Sequence, residues 1–204
     1  MSRLHLPAPE EMTREQRVVH DEIVTGVRGA LIGPLRAVIH SPDLARRWSQ
    51  LGEYLRFSTC LPKKLNELAI IVTGRHWNAQ IEFLVHAEAA RSAGLDPACI
   101  EAIRLGEVPA FIEQSEADIY EFARSLLQTG TVEASSYAAV CARWGARGVV
   151  ELTALIGYYS MGPQAQSTVR EGRPHPVGRW ERIGGCGSRL LAGICFVRTS
   201  NPTH

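Results

Sequence analysis

Residues 61–94 read LPKKLNELAIIVTGRHWNAQIEFLVHAEAARSAG. Pro62 suits the first turn of a helix, where its missing N–H would have no intrahelical partner anyway. From Lys63 onward, Leu65, Leu68, Ala69, Val72 and Trp77 fit a helical stripe better than strand alternation. The β-branched run Ile70-Ile71-Val72-Thr73 keeps a strand as the rival reading. A second helix is expected over 78–92, ended by Gly94 as a left-handed residue. Two such helices joined by a short turn form a hairpin. Inside it lie two acids and a histidine, Glu67, Glu82 and His86. Ionisable groups at the edge of an apolar helix pair are costly unless they are paired or used.

Outward from the hairpin the chain reads as helices. Thr13 to Gln16 forms a capping box that opens a helix to about residue 25. Residues 26–34 hold three glycines and a proline and read as a loop. Ser41-Pro42-Asp43 supplies a cap, a first-turn proline and an acid near the positive helix end. A helix to about residue 57 follows, with Leu44, Trp48, Leu51 and Leu55 expected on its buried face. Asp96-Pro97 opens a helix that stops at Gly106, and Ser115 opens one to about residue 128. Two more are expected over 133–144 and 147–160. The fold class is all-α, with connections short enough for antiparallel neighbours. After about residue 161 the sequence turns rich in Gly, Arg and Pro, so the expected division is a helical domain over 1–161 and an irregular or divergent tail over 162–204.

Composition narrows the partners. A net charge of +1 gives no electrostatic reason to expect nucleic acid or an anionic membrane. No apolar run reaches the roughly 18 residues a membrane span needs. The N-terminal MSRLHLPAPEE lacks the apolar core of a secretory signal, which makes a cytoplasmic protein the default expectation. Five scattered cysteines, with no CxxC pair, argue against a disulfide framework and a zinc site. No metal and no cofactor are expected.

Glu82 and His86 stand four residues apart, so a helix projects them from one face. A carboxylate beside an imidazole fixes its tautomer and raises its proton affinity, which makes a general acid/base unit. If the two helices fold back on each other, Glu67 reaches the same place. The plainer alternative is a surface pair of Glu82 with His86, and Glu67 paired with Lys63, Lys64 or Arg75. A metal site is a third alternative. The di-iron bundle pattern, however, needs Glu-x-x-His twice, and this spacing is one residue longer and occurs once. Arg75 and Trp77 flank the turn. Arg75 could hold a substrate carboxylate in two hydrogen bonds, and Trp77 could line a pocket.

The run LNELAIIVTGRHWNAQIEFLVHAEAARSAGLDPACIEAIRLG over 65–106, with YEFARSLLQTG over 120–130 and WGARGVVELTALIGYYSM over 144–161, resembles the carboxymuconolactone decarboxylase family. That family also contains the alkyl hydroperoxidase D proteins. The resemblance covers about residues 34–161. It implies an alkyl hydroperoxidase D-like helical bundle with a central helix hairpin, assembled as a homo-oligomer such as a dimer, trimer or hexamer. In the peroxidase branch, a glutamate precedes a CxxC and a histidine follows it. Glu67 and His86 match that glutamate and histidine, but the two cysteine positions fall on Ala79 and Glu82. A thiol peroxidase needs one thiolate to attack and a second thiol to resolve. The resemblance therefore implies the decarboxylase branch: a carboxy-lyase acting on a carboxylated lactone or related small molecule. In it His86 is the acid/base tuned by Glu82, Glu67 a second proton carrier or orienting group, and Arg75 the carboxylate anchor. The alternatives are peroxidase activity and a non-catalytic oligomeric binding protein.

Overall fold

A computed structural model of the chain describes residues 3–31 and 33–169. After a 3₁₀ turn at Pro9–Glu11, eight helices follow: α1 (Arg14–Thr25), α2 (Leu35–Val38), α3 (Pro42–Phe57), α4 (Lys63–His76), α5 (Gln80–Ser92), α6 (Pro97–Leu105), α7 (Gln114–Thr129) and α8 (Ala134–Val169). No strand occurs among the described residues. These residues fall into two compact units, residues 6–49 in one and residues 3–5 with 50–169 in the other. The division between the two units falls inside α3.

The smaller unit starts where the capping box was expected. Thr13 Oγ1 accepts from the Gln16 backbone N–H at 3.3 Å, and the Gln16 side chain accepts from the Thr13 N–H at 2.9 Å. Its core is built on Met12, Val19, Ile23, Leu35 and Ile39.

Helix α3 forms where its cap and proline require, but its buried face is rotated one residue from the expected one. Leu44 and Leu51 are 49% and 44% exposed, while Ala45, Ser49, Gly52 and Leu55 are buried. The residues buried at 45, 49 and 52 are small, and of the expected face Leu55 is buried and Trp48 half-buried.

In the larger unit α4 is the central helix. Every residue from Leu65 to Gly74 is buried, against α5, α6, α7 and α8. A helix apolar on all sides belongs in a core, and this explains how the β-branched run stays helical: packing overrides its modest helix penalty. Asn78, at φ 54°, turns the chain between α4 and α5, and the Ala79 N–H returns to the Gly74 carbonyl at 2.8 Å. An asparagine tolerates that left-handed geometry. Helix α5 accordingly begins at Gln80, two residues later than expected, and Gly94 takes the left-handed conformation expected after it (φ 92°).

Asp96 caps α6 through the Ala98 N–H at 2.8 Å. Helix α7 starts earlier than its Ser115 signal. Lys64 lies 2.6 Å from Glu113 and 2.8 Å from the buried Glu116, and this clamp holds the first turn. Lys64 thus pairs with acids at the start of α7 rather than with Glu67.

The last helix bends sharply at Gly145, with φ 66° and ψ −172°. That region of backbone space is essentially reserved for glycine. The bend divides α8 where two helices were expected. Beyond it the helix continues through Pro163 to Val169 rather than ending near residue 160. Ser160 keeps its hydroxyl on the Ile156 carbonyl at 2.8 Å, within the helix. Of the irregular tail expected over 162–204, residues 162–169 are helical and residues 170–204 lie outside the described residues.

Candidate functional site

The hairpin of α4 and α5 brings Glu67 and His86 face to face. His86 Nδ1–H donates to Glu67 Oε2 at 2.6 Å, and both residues are buried. Glu67, fifteen residues before Glu82, accepts the hydrogen bond of the imidazole; Glu82, one turn before His86 on α5, does not. The pairing anticipated from helical spacing is therefore corrected. Glu67 projects from a facing helix and meets the ring end-on, which i, i+4 neighbours on one helix need not achieve. With Nδ1 holding its proton toward Glu67, the neutral imidazole presents Nε2 as its basic nitrogen.

The two carboxyls sit in opposed environments. Burial raises the proton affinity of Glu67, but the hydrogen bond and charge of His86, with the charges of Arg56 and Lys63, outweigh it and hold its pKa below the usual range. Glu82 has no such partner. Its Oε2 is buried without a hydrogen bond, and burial pushes its pKa up to about 7. One carboxyl is thus kept ionised and its neighbour is poised between forms at neutral pH.

Two residues complete the cluster. Arg56, in the last turn of α3, places Nε 3.7 Å from Glu67 Oε1. The edge of one ring meets the face of the other where His86 packs on Tyr159 of α8, with centroids 5.0 Å apart. Burial drives the Tyr159 hydroxyl far above its ordinary pKa, Arg56 acts to lower it, and the carboxylates of Glu67 and Glu82 act to raise it. Sequence reading gave Tyr159 no role at the site. Arg56 was missed, because a basic residue in a last helical turn reads as a routine partner of the helix dipole.

Arg75 and Trp77 do not join this cluster. Arg75 stands eight residues beyond Glu67 on α4, about 12 Å along the helix axis. Its Nε donates to the Arg104 carbonyl at 3.0 Å, closing the end of α6. Its guanidinium fills the space beside Gly106, where a Cβ would come within 2.9 Å of it. It borders a separate cleft of about 260 Å³ with Tyr120 and Arg124. Trp77 is 37% exposed and packs edge-on against His76. The roles of carboxylate anchor and pocket wall expected of these two residues are not met at the Glu67–His86 pair.

A second buried acid lies elsewhere in this unit. Glu151 accepts from the Tyr54 hydroxyl at 2.5 Å, the Cys60 backbone N–H at 2.7 Å and Arg147 Nε at 2.8 Å. Burial opposes its ionisation, but these donors hold its pKa at about 2. Four donors and acceptors that satisfy one another describe a structural lock between α3, the following loop and α8.

Cys60 and Cys99 are poorly placed for nucleophilic work. Burial, together with Glu151, pushes the Cys60 thiol up, and burial does the same to Cys99, whose Sγ donates to the Ala110 carbonyl at 3.4 Å. A redox-active cysteine needs the opposite shift. Among the described residues no three His, Cys, Asp or Glu side chains group as a metal site. No helix among them is long and apolar enough to cross a membrane.

No family model matches the chain, and no curated protein matches it in sequence. Its fold is similar to a solved structure from Ralstonia eutropha described as an alkylhydroperoxidase AhpD core, an uncharacterized peroxidase-related protein. The TM-score is 0.66 at 15% sequence identity, over 82% of this chain and 90% of that one. At that identity the likeness establishes the fold: the chain is an all-helical protein of alkyl hydroperoxidase D-like architecture.

Proposed function

We propose that the Glu67–His86 pair is the acid–base centre of a carboxy-lyase acting on a carboxylated lactone or a related small molecule. The observation that carries the reading is the buried 2.6 Å hydrogen bond from His86 Nδ1 to Glu67, beside a second carboxyl kept close to neutrality. Decarboxylation breaks a carbon–carboxylate bond. The electron pair left behind passes into the lactone carbonyl system as an enolate, and carbon then takes up one proton. Glu67 fixes the imidazole and stabilises its cationic form. His86 Nε2 delivers the proton, and Glu82 is the second proton store, able to reload the imidazole at neutral pH. Glu67 is an orienting group in this scheme rather than a proton carrier.

A peroxidase is the second reading, favoured by the fold likeness to a peroxidase-related protein. Against it stand Ala79 and Glu82 at the dithiol positions and the raised thiols of Cys60 and Cys99. A homo-oligomer belongs to the proposal as the family resemblance implies it. The test is carbon dioxide release from 4-carboxymuconolactone by the native chain and by His86→Ala. The proposal expects release by the native chain and its loss in the variant. No release by the native chain, or undiminished release by His86→Ala, overturns it.

A further inference from the structure

We infer that Arg56 is the carboxylate anchor of this site, presenting its guanidinium beside Glu67 to an anionic ligand that Glu82 also contacts. The inference rests on the proposed acid–base reading and names a substrate-binding residue for it.

Two buried polar atoms near Tyr159 lack hydrogen bonds among the described residues, Arg56 Nε and Glu82 Oε2. Leaving such atoms unmet costs about 1–3 kcal/mol each, and more where a charge is involved. Arg56 lies near an acid without bonding it: 3.7 Å to Glu67 Oε1 is an ion pair, beyond hydrogen-bond reach. Glu67 has already given Oε2 to His86. The Arg56 donor is therefore left for another oxygen. Its Cζ sits 5.2 Å from the ring centroid of Phe57, which steadies the guanidinium without using its N–H groups.

The two orphaned atoms are complementary to one kind of ligand. A guanidinium donates only, and a protonated carboxyl also donates. Both act on the Tyr159 hydroxyl, whose ring packs on His86, which places them in the same neighbourhood as the imidazole. An oxyanion, a carboxylate above all, offers acceptors to both. The charges also balance. Arg56 and Glu67 cancel, a protonated Glu82 is neutral, and an imidazolium at His86 leaves one positive charge for a monoanion to meet. Arg75 cannot serve here, being spent on the end of α6.

The experiment separates binding from turnover. The probe is 5-oxotetrahydrofuran-2-carboxylate, a saturated lactone acid with no conjugated path for losing carbon dioxide, compared with its methyl ester. Binding is measured by calorimetry and by the His86 ring resonances on the native chain, Arg56→Gln and Arg56→Lys. The expected result is saturable binding of the acid with displacement of the His86 resonances. The ester should bind at least tenfold more weakly, and Arg56→Gln should weaken the acid by tenfold or more. Arg56→Lys keeps the charge beside Glu67, and with it the fold, but lacks the Nε donor; it should weaken the acid several-fold. Equal binding of acid and ester, native affinity in either variant, or no saturable binding to the native chain overturns the inference. Binding of the acid without carbon dioxide release from 4-carboxymuconolactone would sink the proposed reaction and leave the anchor standing. Carbon dioxide release with an unchanged KM in Arg56→Lys would do the reverse.

Discussion

Replacing Glu82 with glutamine should make the protein more stable at alkaline pH. The side chain keeps its size and polarity but can no longer ionise. In the native chain, burial without a partner raises the Glu82 pKa from 4.5 to about 7. For a carboxyl raised on folding, the folded state still holds a proton that the unfolded chain has released between those two values. Stability from this group is therefore fully present below about pH 4.5, declines as pH rises through the window, and is level above about 7. At about 1.4 kcal/mol per pH unit, the loss amounts to about 3 kcal/mol by pH 8. That is a sizeable share of the 5–15 kcal/mol that holds typical domains together. Urea denaturation of the native chain and Glu82→Gln, followed by far-ultraviolet circular dichroism at pH 5, 6, 7 and 8, measures it. The stability of the variant relative to the native chain should rise with pH, the difference growing from about 1 kcal/mol at pH 5 to about 3 kcal/mol at pH 8. Comparing the two chains cancels the contributions of groups they share. If their stabilities run parallel across the window, Glu82 is not a partnerless buried acid, and the paired-carboxyl reasoning fails.

The same group predicts an activity profile: kcat on a lactone substrate should fall as pH rises past about 7, and Glu82→Gln should lose that limb, as steady-state rates from pH 5.5 to 8.5 would show. Glu151→Ala strands the Tyr54 hydroxyl, the Cys60 N–H and Arg147, so urea titration at pH 7 should show a loss of about 3 kcal/mol. Because the folded Glu151 pKa is depressed to about 2, its contribution is complete above pH 4.5 and disappears as pH falls toward 2, so the variant and native chains should converge in acid. Gly145→Ala forces a side chain onto φ 66°, ψ −172°, and a lower melting temperature, equivalent to about 2 kcal/mol, should follow in calorimetry.

The helices were legible because their ends carry local chemistry. The Thr13–Gln16 box, the Asp96 cap, Gly94 and Gly145 each mark a boundary through groups within a few residues. The α3 face was not, since hydrophobicity named Leu44 and Leu51 while packing selected Ala45, Ser49 and Gly52, a choice made by neighbours remote in sequence. The α7 start moved for a similar reason: Lys64, 49 residues before Glu113, clamps it. At the site, the hairpin condition that brings Glu67 to His86 could be stated from the sequence, because it needs only two helices and a turn. The partner swap from Glu82 to Glu67 could not, because i, i+4 spacing reports adjacency and says nothing of a competitor on the facing helix. Arg56 lies eleven residues before Glu67 on a different helix, with no periodicity linking them. Arg75 looked suited to binding an anion because its engagement with the end of α6 is a contact across 29 residues.

The proposed acid–base chemistry and the alternative thiol chemistry differ in whether activity survives loss of the cysteine thiols. The most direct measurement is carbon dioxide release from 4-carboxymuconolactone before and after complete cysteine alkylation of the folded chain, with peroxide reduction followed on the same samples. The account predicts carbon dioxide release that survives alkylation and is lost in His86→Ala, with no thiol-dependent peroxide turnover. Peroxide reduction that alkylation abolishes, in a chain that releases no carbon dioxide, would contradict it.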